Sequence, residues 1–116
     1  MQLLVLILKK VDLMEHLIRE LAEAGVTGGT ILEGTGMAQA LINMEELPMF
    51  GVLRSMLTSD EKETCKLMLL VLKDEQVMDT RNAIKNVIGD MKEPNTGIMF
   101  SIPITYVEGL GESYDA

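Results

Sequence analysis

Two parts of the sequence share one order of elements, and this repeat limits the fold more than any other feature. An apolar strand, an amphipathic helix and a second strand are predicted at 3–8, 13–24 and 26–32, and again at 66–72, 75–88 and 98–107. The first strand of each half is an almost unbroken apolar run, whereas a strand with one solvent-exposed face alternates apolar and polar residues. The sequence therefore predicts that both faces of these two strands are buried.

Two strand-helix-strand units in series predict one domain over residues 1–116 with the α+β, ferredoxin-like order βαββαβ. In this arrangement four antiparallel strands form a sheet, and both helices lie on one of its faces. The other face would remain in water as an apolar patch larger than monomers usually expose. We therefore expect further copies of the chain to cover it, giving a homo-oligomer that associates through that face.

Local signals predict where the elements begin and end. Asp12 and Glu15 have the spacing of a capping box that opens the first helix, and Gly25 is placed to end it. Gly28 and Gly29 in the second strand indicate a bulge, close strand packing or a ligand near the backbone. Pro103 predicts an edge position or a bulge in the last strand, and the tail 109–116 is expected to be loosely ordered.

An insert at 34–60 separates the two halves and is the segment predicted to carry the function. Residues 37–44 could form one or two turns of helix, and 48–57 a second helix with a methionine-rich apolar face. Such a face suits adaptable contact with a protein partner, although it could equally pack on its own domain or on a sister subunit. The residues predicted to contact the partner are Met44, Glu45, Glu46, Met49, Phe50 and Arg54.

Composition excludes several classes of function. A formal net charge of −8 and only two Phe and two Tyr argue against binding nucleic acid, which depends on cationic side chains and stacking aromatics. Cys65 is the only cysteine, which favours a reducing compartment. The first apolar run has no basic leader and is far shorter than the ~20 residues of a membrane span, so we expect a cytoplasmic protein without membrane insertion.

Three stretches resemble the P-II signal-transduction superfamily. They are AEAGVTGGTILEGTGMA at 22–38, DEQV at 74–77 and TGIMFSIPITYV at 96–107. The resemblance implies a homotrimer of ferredoxin-like subunits with small-molecule sites in the clefts between subunits. It also implies a long loop after the second strand that contacts a protein partner.

The chain departs from that family at the base of the loop. The family motif there is Gly-Phe-Gly-Arg; Gly36 matches and Met37 keeps an apolar residue, but Ala38 and Gln39 replace the second glycine and the arginine. No tyrosine occurs in 34–60, so the family's uridylylation site has no counterpart.

The family's phosphate-binding loop has also changed. Gly97 is retained, Ile98 stands in place of a lysine, and no Lys or Arg follows Lys92. Because a triphosphate needs several cationic donors, ATP binding of the usual kind is not expected, whereas ADP, AMP or another small effector could bind to backbone amides. The residues assigned to the ligand are Gly28, Gly29, Thr30, Gly36, Met37, Ala38, Gln39, Thr96 and Gly97.

Two functions of other classes are alternatives to a P-II-like regulator. A divalent-metal-binding protein of the cation-tolerance type shares the trimeric fold and would suit an acidic chain, with Asp90 and Glu93 as possible oxygen ligands. His16 and Cys65 lack the spacing of a zinc site, so no metal ligands are assigned. An enzyme is not expected, because one histidine and one cysteine in separate elements do not supply a nucleophile and its base.

Overall fold

The structure is built on a four-stranded antiparallel sheet with helices packed against one face. The computed structural model describes residues 1–44, 64–94, 96–110 and 114–115. The elements are β1 (Gln2–Leu8), a 3-10 turn (Val11–Leu13), α1 (Met14–Glu23), β2 (Thr30–Gly34), α2 (Met37–Asn43), β3 (Cys65–Leu72), α3 (Asp74–Ile88), β4 (Gly97–Pro103), β5 (Tyr106–Val107) and β6 (Tyr114–Asp115). The strand order is β2-β3-β1-β4. This α+β arrangement confirms the predicted fold class and is compatible with a ferredoxin-like fold.

The hydrophobic core lies between the sheet and helices α1 and α3. Alternate residues of β1 and β3 point into it because successive side chains of a strand face opposite sides. The core consists of Leu4, Leu6, Leu8, Met14, Leu17, Leu21, Met68, Leu70, Leu72, Val77, Ala83, Ile84 and Ile88. All are less than one tenth exposed, so α1 and α3 cover the central strands β1 and β3 on this face of the sheet within one chain. We call it the covered face.

The opposite face of the sheet is also apolar, and we call it the open face. Its side chains form cross-strand rows: Ile7 lies opposite Leu67 and Ile98, Val5 opposite Leu69 and Phe100, and Leu3 opposite Val71 and Ile102. Leu32 of β2 extends the first row. Val5 is buried, but Leu32, Val71, Ile98, Phe100 and Ile102 are between 38% and 53% exposed. The prediction that both faces of β1 and β3 are buried is therefore met within one chain only on the covered face.

The end of α1 explains why β2 begins later than predicted. Gly25 has φ 86 and donates its N–H to the carbonyl of Ala22, while Val26 N–H donates to the carbonyl of Leu21 at 2.8 Å. These two bonds make the helix stop known as the Schellman motif. Val26 packs against the core as part of this motif, so the strand predicted from residue 26 starts at Thr30.

The start of α1 also differs from the prediction. A 3-10 turn containing Asp12 precedes the helix, Leu13 is the N-cap, and no side chain caps the helix there. The carboxylate of Glu15 instead accepts a hydrogen bond from Arg19 at 2.7 Å, one turn further along. The predicted capping box is therefore wrong.

The last strand is shorter than predicted. β4 ends at Pro103, which lacks an N–H for a further ladder bond, and the next amide, of Ile104, donates to the carbonyl of Met1. β4 is an edge strand of this sheet, as Pro103 predicted. Beyond it β5 pairs with β6, so Tyr114 and Asp115 of the predicted tail belong to a small second sheet, whereas 111–113 and 116 lie outside the described residues.

Candidate functional site

The residues assigned to a ligand fall in three separate places. Gly28, Gly29 and Thr30 lie at the start of β2, Gly36 to Gln39 lie just beyond its other end, and Thr96 and Gly97 lie at the start of β4. β2 and β4 are the two edges of the sheet, about 14 Å apart at the usual spacing between strands. A single chain therefore does not bring all nine residues into one site.

The segment after β2 places the start of α2 at one end of the sheet. Gly36 is the N-cap of α2 with extended backbone, its carbonyl accepts a bond from Ala40 at 2.9 Å, and a Cβ placed on it would meet nothing within 4 Å. Met37 is 80% exposed, Gln39 is half-buried, and Ala38 lies between them in the helix. The helix confirms the turn or two predicted at 37–44 and leaves open space beside Gly36.

Thr96 and Gly97 both have roles inside the fold. Thr96 is 2% exposed, and its hydroxyl donates to the carbonyl of Glu93 at 2.9 Å. Gly97 lies opposite Leu8, and a Cβ there would be 2.8 Å from the carbonyl oxygen of Ile7. Their contact with a ligand stays a prediction, because packing already explains both residue types.

Lys9 and Lys10 are not among the predicted site residues, and they lie beside the loop that contains Thr96 and Gly97. Their backbone N–H groups donate to the carbonyl of Thr96 at 3.1 and 3.4 Å, and both residues are exposed. The pairing of β1 with β4 brings them there, since the end of β1 adjoins the start of β4. Two exposed lysines therefore lie beside the loop that contains Thr96 and Gly97. The sequence spacing does not show that these lysines lie near Thr96, since the strand order alone brings them together.

The glycine pair borders a small apolar pocket. The pocket has a volume of about 90 Å³ and is lined by Ile18, Leu21, Val26, Thr27, Gly28, Gly29, Ile31 and Met68. A Cβ on Gly29 would lie 2.6 Å from Cδ2 of Leu70, whereas one on Gly28 would meet nothing within 4 Å. Close strand packing therefore accounts for Gly29, and Gly28 remains open to contact.

Most of the predicted partner surface lies outside the described residues. Glu45, Glu46, Met49, Phe50 and Arg54 are in that part of the chain. Met44, which follows α2, is 53% exposed. The insert leaves β2 at Gly34 and returns at Cys65, which lies opposite it, so both of its ends are fixed at the same end of the sheet.

The possible metal and nucleophile residues do not converge. Nε2 of His16 lies 3.6 Å from Oε1 of Glu20 on the exposed side of α1, whereas Cys65 is buried and its Sγ lies 3.1 Å from a Cβ built on Gly34, on the open face. The sheet therefore separates the two. In the described part of the chain, no three His, Cys, Asp or Glu side chains come together to hold a metal ion. Asp90 instead accepts a hydrogen bond from the amide of Lys92 at 2.9 Å.

No protein-family model matches the sequence, and no curated protein is significantly similar to it. None of the helices in the described ranges is both long and apolar enough to cross a bilayer.

The titrating groups with shifted pKa values lie away from these places. The hydroxyl of Tyr106 donates to the carboxylate of Glu108 at 2.6 Å, and this bond raises the pKa of the phenol. The ammonium group of Met1 lies 3.0 Å from Oδ1 of Asp74 and lowers the pKa of that carboxyl. The end of the sheet beside Thr96 instead offers exposed lysines and open backbone for binding.

Proposed function

We propose that the chain is a P-II-like regulatory protein. It forms a homotrimer through the open face of its sheet and binds a small anionic effector between subunits. Binding of the effector then changes how residues 37–57 contact a protein partner. The observation that carries the proposal is the open face, because a protein that worked as a single chain would be expected to keep polar residues there.

The size of the open face supports assembly. By their exposed fractions, its side chains form a patch on the order of 500 Å², near the upper end of what monomers expose. Burying such a patch contributes on the order of 10 kcal/mol per subunit, comparable to the cost of association. The rows from Leu32 to Ile98 and from Val5 to Phe100 supply aliphatic and aromatic contacts without a charged side chain.

The effector site follows from the positions of the candidate residues. One chain separates Gly36 and its neighbours from Thr96 by the width of the sheet, so a complete site needs the β2 end of one subunit beside the β4 start of another. Lys9 and Lys10 then supply positive charge next to Thr96. Two lysines suit a nucleoside mono- or diphosphate better than a triphosphate, which supports ADP or AMP as the ligand class.

The insert is the means of response. Both of its ends are fixed beside the proposed site, so an effector that favours one arrangement of that end also shifts how the insert meets its partner. Met44 is the described residue of this surface, and its exposed thioether side chain suits adaptable contact.

Two measurements test the proposal in sequence. Light scattering on the purified chain should give the mass of three subunits. Calorimetric titration with ATP, ADP, AMP and cyclic AMP, with and without magnesium, should then show saturable binding of ADP or AMP. The double variant Lys9→Gln, Lys10→Gln should weaken that binding about tenfold, because charge-assisted hydrogen bonds to phosphate are lost.

Lys73→Gln is the matched control, since it removes an exposed lysine between β3 and α3, at the opposite end of the sheet, and should leave affinity unchanged. A monomer, or an assembly that binds none of the four nucleotides, would overturn the corresponding part of the proposal. Equal weakening by both lysine variants would show a general charge effect and not a site.

A further inference from the structure

The pocket beside the glycine pair is built like a socket for one aliphatic side chain. Leu21 and Met68, each 3% exposed, form its floor, while Ile18 and Ile31 stand at its rim with 43% and 42% exposure. Since an apolar cavity of roughly 150 Å³ holds benzene, the 90 Å³ here matches a group of about four carbons. Two partly exposed isoleucines around a preformed apolar pocket indicate a binding site for an apolar group.

The pocket opens next to β2, an edge strand of the described sheet. β2 is the first strand in the order β2-β3-β1-β4, and among the described residues it pairs only with β3. The outer N–H and C=O groups of such a strand can receive a further strand. Ile31 belongs both to this edge and to the pocket rim, so a chain added along β2 would pass directly over the pocket.

Charge indicates what kind of chain fits. Glu33 lies two residues beyond Ile31 on the same face of β2 and is exposed. Within the described ranges its carboxylate forms no ion pair, although Lys66 lies opposite it on β3. The whole chain has a net charge of −8, which further favours a basic ligand.

We propose that the groove between α1 and β2 binds an extended basic segment of a partner protein by strand addition. One aliphatic side chain of the segment enters the pocket, and a basic side chain two residues away on the same face lies near Glu33. Main-chain hydrogen bonds to β2 supply affinity, and the pocket and this carboxylate supply selectivity. This inference does not rest on the proposed effector site or on the insert.

A short synthetic peptide tests the groove directly. The probe is a fluorescent, end-blocked pentapeptide of sequence Lys-Thr-Leu-Thr-Lys, in which leucine and both lysines share one face of a strand. Anisotropy with the full chain should show saturable binding. Replacing the peptide leucine by alanine should raise the Kd about tenfold, because most of one buried aliphatic side chain is lost.

The protein offers matched variants. Ile18→Gln should raise the Kd about tenfold, whereas Met78→Gln, which alters a similarly exposed apolar residue of α3, should leave it unchanged. Ile31→Lys places a charge on the rim and should weaken binding further, while a lysine on an edge strand is well tolerated by the fold. Circular dichroism checks that each variant is folded.

Backbone methylation separates strand addition from simple apolar contact. N-methyl groups on the alternate peptide residues that face β2 should abolish binding, and those on the other residues should not. The proposal is overturned if the peptide does not bind at millimolar concentration, or if the alanine peptide binds equally well through charge alone. It also fails if both methylation patterns behave alike, or if Ile18→Gln changes only self-association, since the groove would then hold another copy of the chain.

Discussion

The two faces of the sheet are made from the same kinds of residue and end in different environments. β1 sends Leu4, Leu6 and Leu8 to the covered face, where each is at most 1% exposed. From the same strand Leu3, Val5 and Ile7 point to the open face, in rows that end in side chains of β4 such as Phe100, which is 43% exposed. Only the presence of α1 and α3 on one side distinguishes the two.

The apolar content of a strand reflects the burial expected for both of its faces, whether one chain or several chains supply that burial. An antiparallel sheet that keeps one face in water alternates apolar and polar residues. Here the alternation is missing in both β1 and β3, so the second face is expected to be covered in the working protein. Packing within the chain and packing between chains should then respond differently to substitution.

The largest effect is expected on the covered face. Leu6→Ala removes a fully buried side chain between the sheet and the helices, and should lower the free energy of unfolding by about 2–5 kcal/mol. Urea denaturation followed by circular dichroism at two protein concentrations measures this loss. The loss should be similar at both concentrations, and a loss below about 1 kcal/mol would show that the core is not organised around β1.

On the open face, Phe100→Ser should act mainly on assembly. The side chain is already 43% exposed in one chain, so the substitution is expected to lower the free energy of unfolding of that chain by on the order of 1 kcal/mol or less. Sedimentation should show a shift to smaller species. The unfolding midpoint, which depends on concentration for an oligomer, should lose that dependence. An unchanged mass would mean that this face is not the interface.

The repeat of apolar strands and amphipathic helices was enough to predict the class of fold and the two-sided apolar sheet. Boundaries set by local hydrogen bonds were not predictable in this way. Val26 is of a residue type that favours strands, but its N–H donates to the carbonyl of Leu21 in the hydrogen bonding that ends α1. Glu15 has the spacing of a capping-box residue, but its carboxylate accepts a hydrogen bond from Arg19.

The candidate site shows a further limit of sequence reading. Gly29 and Gly97 were assigned to a ligand because glycine opens the backbone, and the structure gives each a packing reason as well. Lys9 and Lys10 were missed, since their neighbour Thr96 is distant in sequence and is reached only through the pairing of β1 with β4. Residue type indicated what a position could do, and topology decided what lay beside it.

Two glycines, one on each face, sharpen the comparison. In Gly97→Ala the new methyl would lie 2.8 Å from the carbonyl oxygen of Ile7, which is fixed in the sheet, so we expect a loss of about 1–3 kcal/mol. In Gly34→Ala the nearest atom, at 2.7 Å, is Cδ1 of Leu67, a side-chain end on the open face that can turn toward solvent. In the Phe100→Ser background, which is expected to be monomeric, chemical denaturation should therefore show a smaller loss in the free energy of unfolding for Gly34→Ala than for Gly97→Ala. Equal losses would indicate that the open face is as rigidly packed as the covered one.

The smallest effect concerns charge at the start of α3, one of the two helices that form the covered face. The ammonium group of Met1 lowers the pKa of Asp74 from its ordinary value of 3.8. A carboxyl whose pKa is lower in the folded chain stabilises it above the unfolded pKa, and this contribution is lost as pH falls through the folded pKa. Melting temperatures of the wild type and Asp74→Asn should therefore differ slightly at pH 6, and should converge as pH falls below about 3.8. Because the side chain is 69% exposed, the difference should also shrink in high salt, whereas the loss in Leu6→Ala should not. A difference that persists in salt and in acid would show that Asp74 acts through the helix start and not through the ion pair.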